Sequence, residues 1–140
     1  MRMRLVWDMK SFSSGLLSAT AAFDKGTQDG VRRAIIALKS DALDSPPSCP
    51  IKSGHMYDNH VITYGKRSAS LAVVNTRYAA AVHEGVNAKG VIMNWTRPGS
   101  GPKWIEAKLI RYQAVYANKV LDGVASSLRN ALGKFKGLFK

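Results

Sequence analysis

One cysteine, Cys49, stands in the 140 residues. That excludes an intrachain disulfide and a zinc site built from thiolates alone, and it fits a reducing compartment. Acids are scarce: 9 Asp and Glu face 21 Lys and Arg, for a net charge of +12. Asp41 and Asp44 lie three apart at a helix end and read as solvated rather than as a catalytic pair. No apolar run approaches the roughly 18 residues that span a bilayer, so no membrane partner is expected. The start, Met1-Arg2-Met3-Arg4, is basic, but Asp8 and Lys10 interrupt the residues after it, which makes a poor signal peptide. The three histidines are His55, His60 and His83. His83-Glu84 lacks the second His of a zinc-protease helix. His55 and His60, five apart on an expected strand, point to opposite faces. Exposed or hydrogen-bonded histidines are the favoured reading, with no metal and no cofactor.

What is present is apolar periodicity. Apolar residues make up 46% of the chain, enough to argue against disorder and for a single domain with a core. Met3, Leu5, Trp7 and Met9 alternate with polar neighbours, a strand pattern. Ser11 to Ser14 offers N-caps, and Leu16, Phe23, Val31, Ala34, Ile35, Leu38 and Ala42 form one helical stripe. Gly26 and Gly30 predict a kink or break within it. Pro46, Pro47 and Pro50 then stop the helix. Pro50, Ser53 and Gly54 form a structural turn, with a positive φ expected at Gly54. Tyr57 to Tyr64 and Ala69 to Asn75 read as strands joined by Gly65-Lys66-Arg67-Ser68. Tyr78, Ala79, Ala81 and Val82 fit a short helix, capped by Gly85.

Val91 to Trp95 reads as a further strand. Arg97 to Pro102, with two glycines and two prolines, reads as a flexible loop, and Gly99-Ser100-Gly101 as a hinge rather than a phosphate cradle. From Lys103 to about Leu132 runs a long helix with two apolar seams. Ile105, Leu109, Tyr112, Tyr116, Val120, Val124 and Leu128 make the first. Ile110, Ala114, Ala117, Leu121, Ala125 and Leu132 make the second. Such a helix, about 45 Å long, outreaches a small sheet. It either bends at Gly123 or packs part of its face on another subunit. The expected fold is α+β: a small antiparallel sheet of about four strands on long N- and C-terminal helices. Residues 1–132 form the domain, and 133–140 a basic-aromatic tail.

Cys49, between Ser48 and Pro50, reads as a passive turn cysteine, and no constellation argues for an enzyme. The positive charge attracts polyanions, so a small basic nucleic-acid-binding protein is one class to weigh.

Three segments carry a resemblance. Pro50-Ile51-Lys52-Ser53-Gly54-His55-Met56 resembles the first signature of the tail-completion, or head–tail joining, proteins of tailed bacteriophages. Tyr78-Ala79-Ala80-Ala81-Val82-His83-Glu84-Gly85 resembles the second, and Pro102-Lys103-Trp104-Ile105-Glu106-Ala107 the opening of that family's last helix. Order and spacing agree over about Val31 to Leu132. The resemblance implies an α+β virion protein, made in the host bacterial cytoplasm, that forms a ring in the neck. A hexamer is favoured and a dodecamer possible. Portal or head-completion proteins and tail tube proteins would be its neighbours, and DNA would pass through without sequence-specific binding. The expected interface residues are Lys66 and Arg67 at the hairpin tip, Arg97, Gly99, Gly101, Lys103 and Trp104 around the flexible loop, and Lys134, Phe135, Lys136 and Phe139 in the tail.

Overall fold

The computed structural model describes residues 9–87 and 89–136. Helix α1 (Met9–Asp44) and helix α5 (Gln113–Lys136) are long and antiparallel. Between them in the chain come a one-turn helix α2 (His55–Asp58), strands β1 (His60–Tyr64) and β2 (Ala69–Val73), helix α3 (Ala79–His83) and helix α4 (Glu106–Arg111). No helix is long and apolar enough to cross a membrane among these residues.

The α+β class and both long helices hold, but the sheet has two strands among the described residues, not about four. β1 and β2 pair antiparallel from His60↔Val73 to Tyr64↔Ala69. Tyr57 and Asp58 belong to α2, so β1 begins later than the apolar run suggests. Val91 to Trp95 makes only an isolated bridge, Val86↔Ile92. There the Asn87 side chain accepts the amides of Lys89 and Val91, at 2.8 and 3.0 Å. Those local bonds hold a tight loop instead of a ladder. The alternating segment from Met3 lies outside the described residues up to Asp8, and Met9 already belongs to α1.

The expected break at Gly26 and Gly30 does not occur: α1 runs 36 residues without interruption. The two glycines sit one turn apart on a single face, buried against α5. A Cβ on Gly26 would lie 2.7 Å from the Gly123 carbonyl oxygen, and one on Gly30 would lie 2.5 Å from the Val120 Cα. Conversely, a Cβ on Gly123 would lie 2.6 Å from the Gly26 oxygen and 2.7 Å from the Gly30 nitrogen. The helices therefore meet backbone to backbone, a geometry in which Cα–H groups approach carbonyl oxygens. Gly123 serves this contact and does not bend the helix. The break falls instead at Tyr112, where φ −113 and ψ 17 separate α4 from α5. It lets the α4 side dock Lys108 on the Pro47 carbonyl (2.9 Å) while Tyr116, on α5, reaches Asp41 on α1 (2.7 Å). α5 also continues past Leu132 to Lys136, so the first part of the expected tail is helix.

The core has two parts. Ile35, Leu38 and Tyr116 pack with Ile62, Ala69 and Leu71 of the hairpin. Ala42, Leu43, Cys49, Met56, Ala79, Val82 and Trp104 form the second cluster at the end of the helix pair. All three resemblance segments contribute to that cluster, through Met56, through Ala79 and Val82, and through Trp104.

Gly54 has the expected positive φ, 83°. A Cβ there would meet nothing nearer than 3.6 Å, so a substitution is opposed by backbone conformation rather than by space. Gly54→Ala should cost about 1–2 kcal/mol in urea unfolding. The helix contact gives a sharper pair. Gly133 on α5 has nothing within 4 Å of a Cβ, so Gly133→Ala should raise stability by up to about 1 kcal/mol through helix propensity. Gly123→Ala should instead lower it by about 1–3 kcal/mol through overpacking. Equal, stabilising shifts in both variants would show that the helices do not touch at Gly123.

Candidate functional site: an apolar groove beside a buried tryptophan

The Pro50–Gly54 loop, α3 and the segment from Met93 to Arg97 enclose an open groove of about 1020 Å³. The positive φ of Gly54, 83°, turns the loop into α2. The short α3 ends at Gly85, whose φ of 82° turns the chain, and the Gly85 carbonyl accepts the Met93 amide at 2.9 Å. Met56 and Val82 reach the groove from the core, and Ile51, Tyr78, Met93 and Trp95 complete its apolar lining. Lys52, Arg77 and Arg97 also line it, and no carboxylate does among the described residues.

Arg97 is held in place. Its Nη1 donates to the Leu43 and Cys49 carbonyls at 3.2 and 3.0 Å, and its Nη2 lies 3.9 Å from Asp44. Ser48 and Ser100 form an isolated parallel bridge, and the Ser48 amide donates to the Gly99 carbonyl at 2.9 Å. The Arg97–Pro102 segment is thus pinned across the end of α1. The expectation of a flexible loop is corrected because its polar groups find backbone partners. Burial pushes the Cys49 thiol up to about 11, with the Arg97 charge opposing, so it is a poor nucleophile.

Trp104 is 0% exposed. Its indole Nε1–H donates to His60 Nε2 at 3.1 Å, and the His83 ring meets its own ring edge-on at 4.7 Å. His60 is buried as well; its Nδ1 donates to the Met56 carbonyl at 2.9 Å. Both ring nitrogens are thereby used by the neutral tautomer. Burial lowers the His60 pKa, the carbonyls of Met56 and Tyr57 oppose that, and the Lys39 charge adds to it. Lys108, also fully buried, has its pKa lowered by burial, against the pull of Asp41.

Lys103 adopts φ 58° and its amide donates to the His83 carbonyl at 2.7 Å. Its Nζ lies 2.7 Å from both Glu84 oxygens and 2.9 Å from Glu106. His83, Glu84 and Glu106 are the one group among the described residues close enough to share a metal ion. The Lys103 ammonium already stands between the two carboxylates and supplies the charge a cation would bring. Neither family models, curated proteins nor solved structures match this chain.

Several expected interface residues therefore have internal roles. Trp104 is core, a correction that rests on its complete burial. Lys103 is an intramolecular cross-link, and Gly101 is buried with a Cβ position 3.2 Å from Pro47. Arg67 bonds to Asp24 of α1 at 2.6 Å, tying the hairpin tip down, while Lys66 beside it is exposed. Gly99, at φ 79°, is exposed next to Pro46. Lys134, Phe135 and Lys136 end α5, and Phe139 lies outside the described residues. The groove itself is announced by no motif. Its signal is a cluster of bulky residues, Ile51, Tyr78, Met93 and Trp95, in segments too short and too broken by Pro and Gly to bury them all.

The His60–Trp104 pair makes stability sensitive to acid. A folded pKa below the ordinary value means the unfolded chain binds the proton more readily. The contribution is therefore full above about pH 6.5 and is lost as pH falls below it, by up to about 1.4 kcal/mol per pH unit until the folded pKa is reached. Urea unfolding at about pH 7.5 and about pH 5 should show this loss, and His60→Gln, which keeps a donor and an acceptor without titrating, should flatten it. An equally steep slope in the variant would assign the loss to other groups.

Proposed function

We propose that this chain is a structural subunit that assembles into a ring in the neck of a tailed phage, completing the tail end and joining it to the head or portal complex. Its action is interface complementarity around a DNA passage, with no catalytic step. The observation that carries the reading is the second apolar seam. In the single chain much of the first seam is taken up by α1, with Tyr116 buried and Val120 and Val124 half-buried, while Leu109 on α4 stays 49% exposed. The second seam is left in solvent: Ile110 is 67% exposed, Leu121 62% and Leu132 55%, with Ala114, Ala117 and Ala125 exposed between them. Exposed apolar surface of this kind, on α5 and across the Tyr112 break on α4, marks a surface for another protein. In a ring this stripe meets a different patch of the next copy, because cyclic contacts beyond a dimer are heterologous.

Leu16, Leu17 and Phe23 in the first half of α1 are also exposed, and they supply apolar surface for such a second patch. The convergence of the three resemblance segments on one core cluster adds support, since motifs that share a core are kept together by packing rather than by chance composition. Lys134, Phe135, Lys136 and Phe139 at the end of the chain then suit docking on an acidic neighbour better than gripping DNA. Strong phosphate contacts would oppose sliding.

Leu121→Glu and Ile110→Glu place charges at exposed positions and should leave folding unchanged within about 0.5 kcal/mol. Assembly should be abolished. Symmetry-averaged images of particles containing the wild-type chain should show a ring, and particles made with the double variant should lack it and fail to join heads to tails. Normal joining by the double variant, or density for a single copy per neck, would overturn the reading.

A further inference from the structure

The groove and the seam lie on different elements, so the groove's occupant is a separate question from ring assembly. We propose that the groove binds a segment of a different protein that combines carboxylates with bulky apolar side chains. Met56, Val82, Met93 and Trp95 give it an apolar floor large enough for several side chains. Methionines adapt to varied shapes, and an aromatic ring presents a rigid face. The polar side of the site has one sign. Arg97 is committed to the Leu43 and Cys49 carbonyls. Lys52 and Arg77 are exposed at the groove, and neither enters an ion pair among the described residues. A carboxylate-bearing segment would find a charge partner at each.

That segment does not come from a second copy. The chain holds nine acids in all, and five are engaged within the fold: Asp24 with Arg67, Asp41 with Tyr116, Asp44 with Tyr57, and Glu84 and Glu106 with Lys103. The remainder, Asp8, Asp29, Asp58 and Asp122, are isolated in the sequence. The C-terminal segment, with Lys134, Lys136 and Lys140, would bring like charge to Lys52 and Arg77. A nucleic acid could pair with the two cations, but its phosphates would leave the apolar floor unused.

The test uses the full chain and a short fluorescein-labelled peptide alternating glutamate with leucine and phenylalanine. Its lysine-for-glutamate counterpart and a single-stranded DNA oligonucleotide serve as controls. The glutamate peptide should bind, and Lys52→Glu with Arg77→Glu should weaken binding at least about tenfold. Lys25→Glu with Arg129→Glu, an equal charge change at exposed positions on the long helices, should change it by less than about twofold. In NMR spectra the Trp95 indole signal should shift on binding while that of Trp104 stays. Equal weakening by both variant pairs would reduce the effect to net charge and overturn the proposal. So would binding of the lysine peptide, displacement of the glutamate peptide by the oligonucleotide with the same Trp95 shift, or no binding by a wild-type chain whose circular dichroism shows the fold.

Discussion

Gly26, Gly30 and Gly123 set the separation of the two long helices, and most of the architecture depends on that separation. With backbones in contact at the crossing, α5 aligns its first seam on α1, with Tyr116 close enough to donate to Asp41. Larger residues at the crossing would push the helices apart and draw Val120 and Val124 out of the interface. Helical glycines are costly when they do nothing, at about 1 kcal/mol each. Three of them buried on one contact are explained by the space a side chain would need there.

The other elements are arranged around this contact. The hairpin lies against α1, anchored by Ile62 and Leu71 in the core and by the Arg67–Asp24 ion pair at its tip. Beyond Asp44 the chain closes around Trp104. Arg97 and Lys108 tie that closed end to the backbone carbonyls of Leu43, Cys49 and Pro47. These are buried or half-buried cations satisfied by oxygens in the last turn of α1 and the segment after it, and their loss would remove a donor from each of those carbonyls. The groove sits on the outside of this end, and the uncovered seam runs from Ile110 on α4 along α5. The chain therefore carries two separate surfaces with different chemistry, one apolar along the last two helices, the other apolar with a cationic rim.

The sequence is most legible where periodicity is strong. The stripe from Val31 to Ala42 and the apolar period of α5 are read from spacing alone, whereas the break at Tyr112 that divides the expected single last helix is not. Gly54 and Gly85 are readable because a turn and a helix end each favour a residue that tolerates positive φ. Gly26, Gly30 and Gly123 read as weak points because propensity is local, whereas a close helix crossing is a tertiary fact that overrides it. Val91 to Trp95 looks like a strand from its β-branched start, but Asn87 diverts the loop's amides. Trp104 and Lys103 look like surface residues because they come straight after a Pro-Gly segment. Their partners, His60 and Glu84, lie far away in sequence, and no local pattern announces them.

The backbone contact between α1 and α5 is open to direct measurement. Nuclear Overhauser effects between the α-protons of Gly123 and those of Gly26 and Gly30 read it in solution. A Cβ on Gly123 would lie 2.8 Å from the Gly30 Cα, so a strong cross-peak between Gly123 and Gly30 is predicted. Its absence, in a sample whose Ile62 and Leu71 methyls still report contact with the cluster of Ile35, Leu38 and Tyr116, would contradict the contact and show that the long helices pair at some other register or distance.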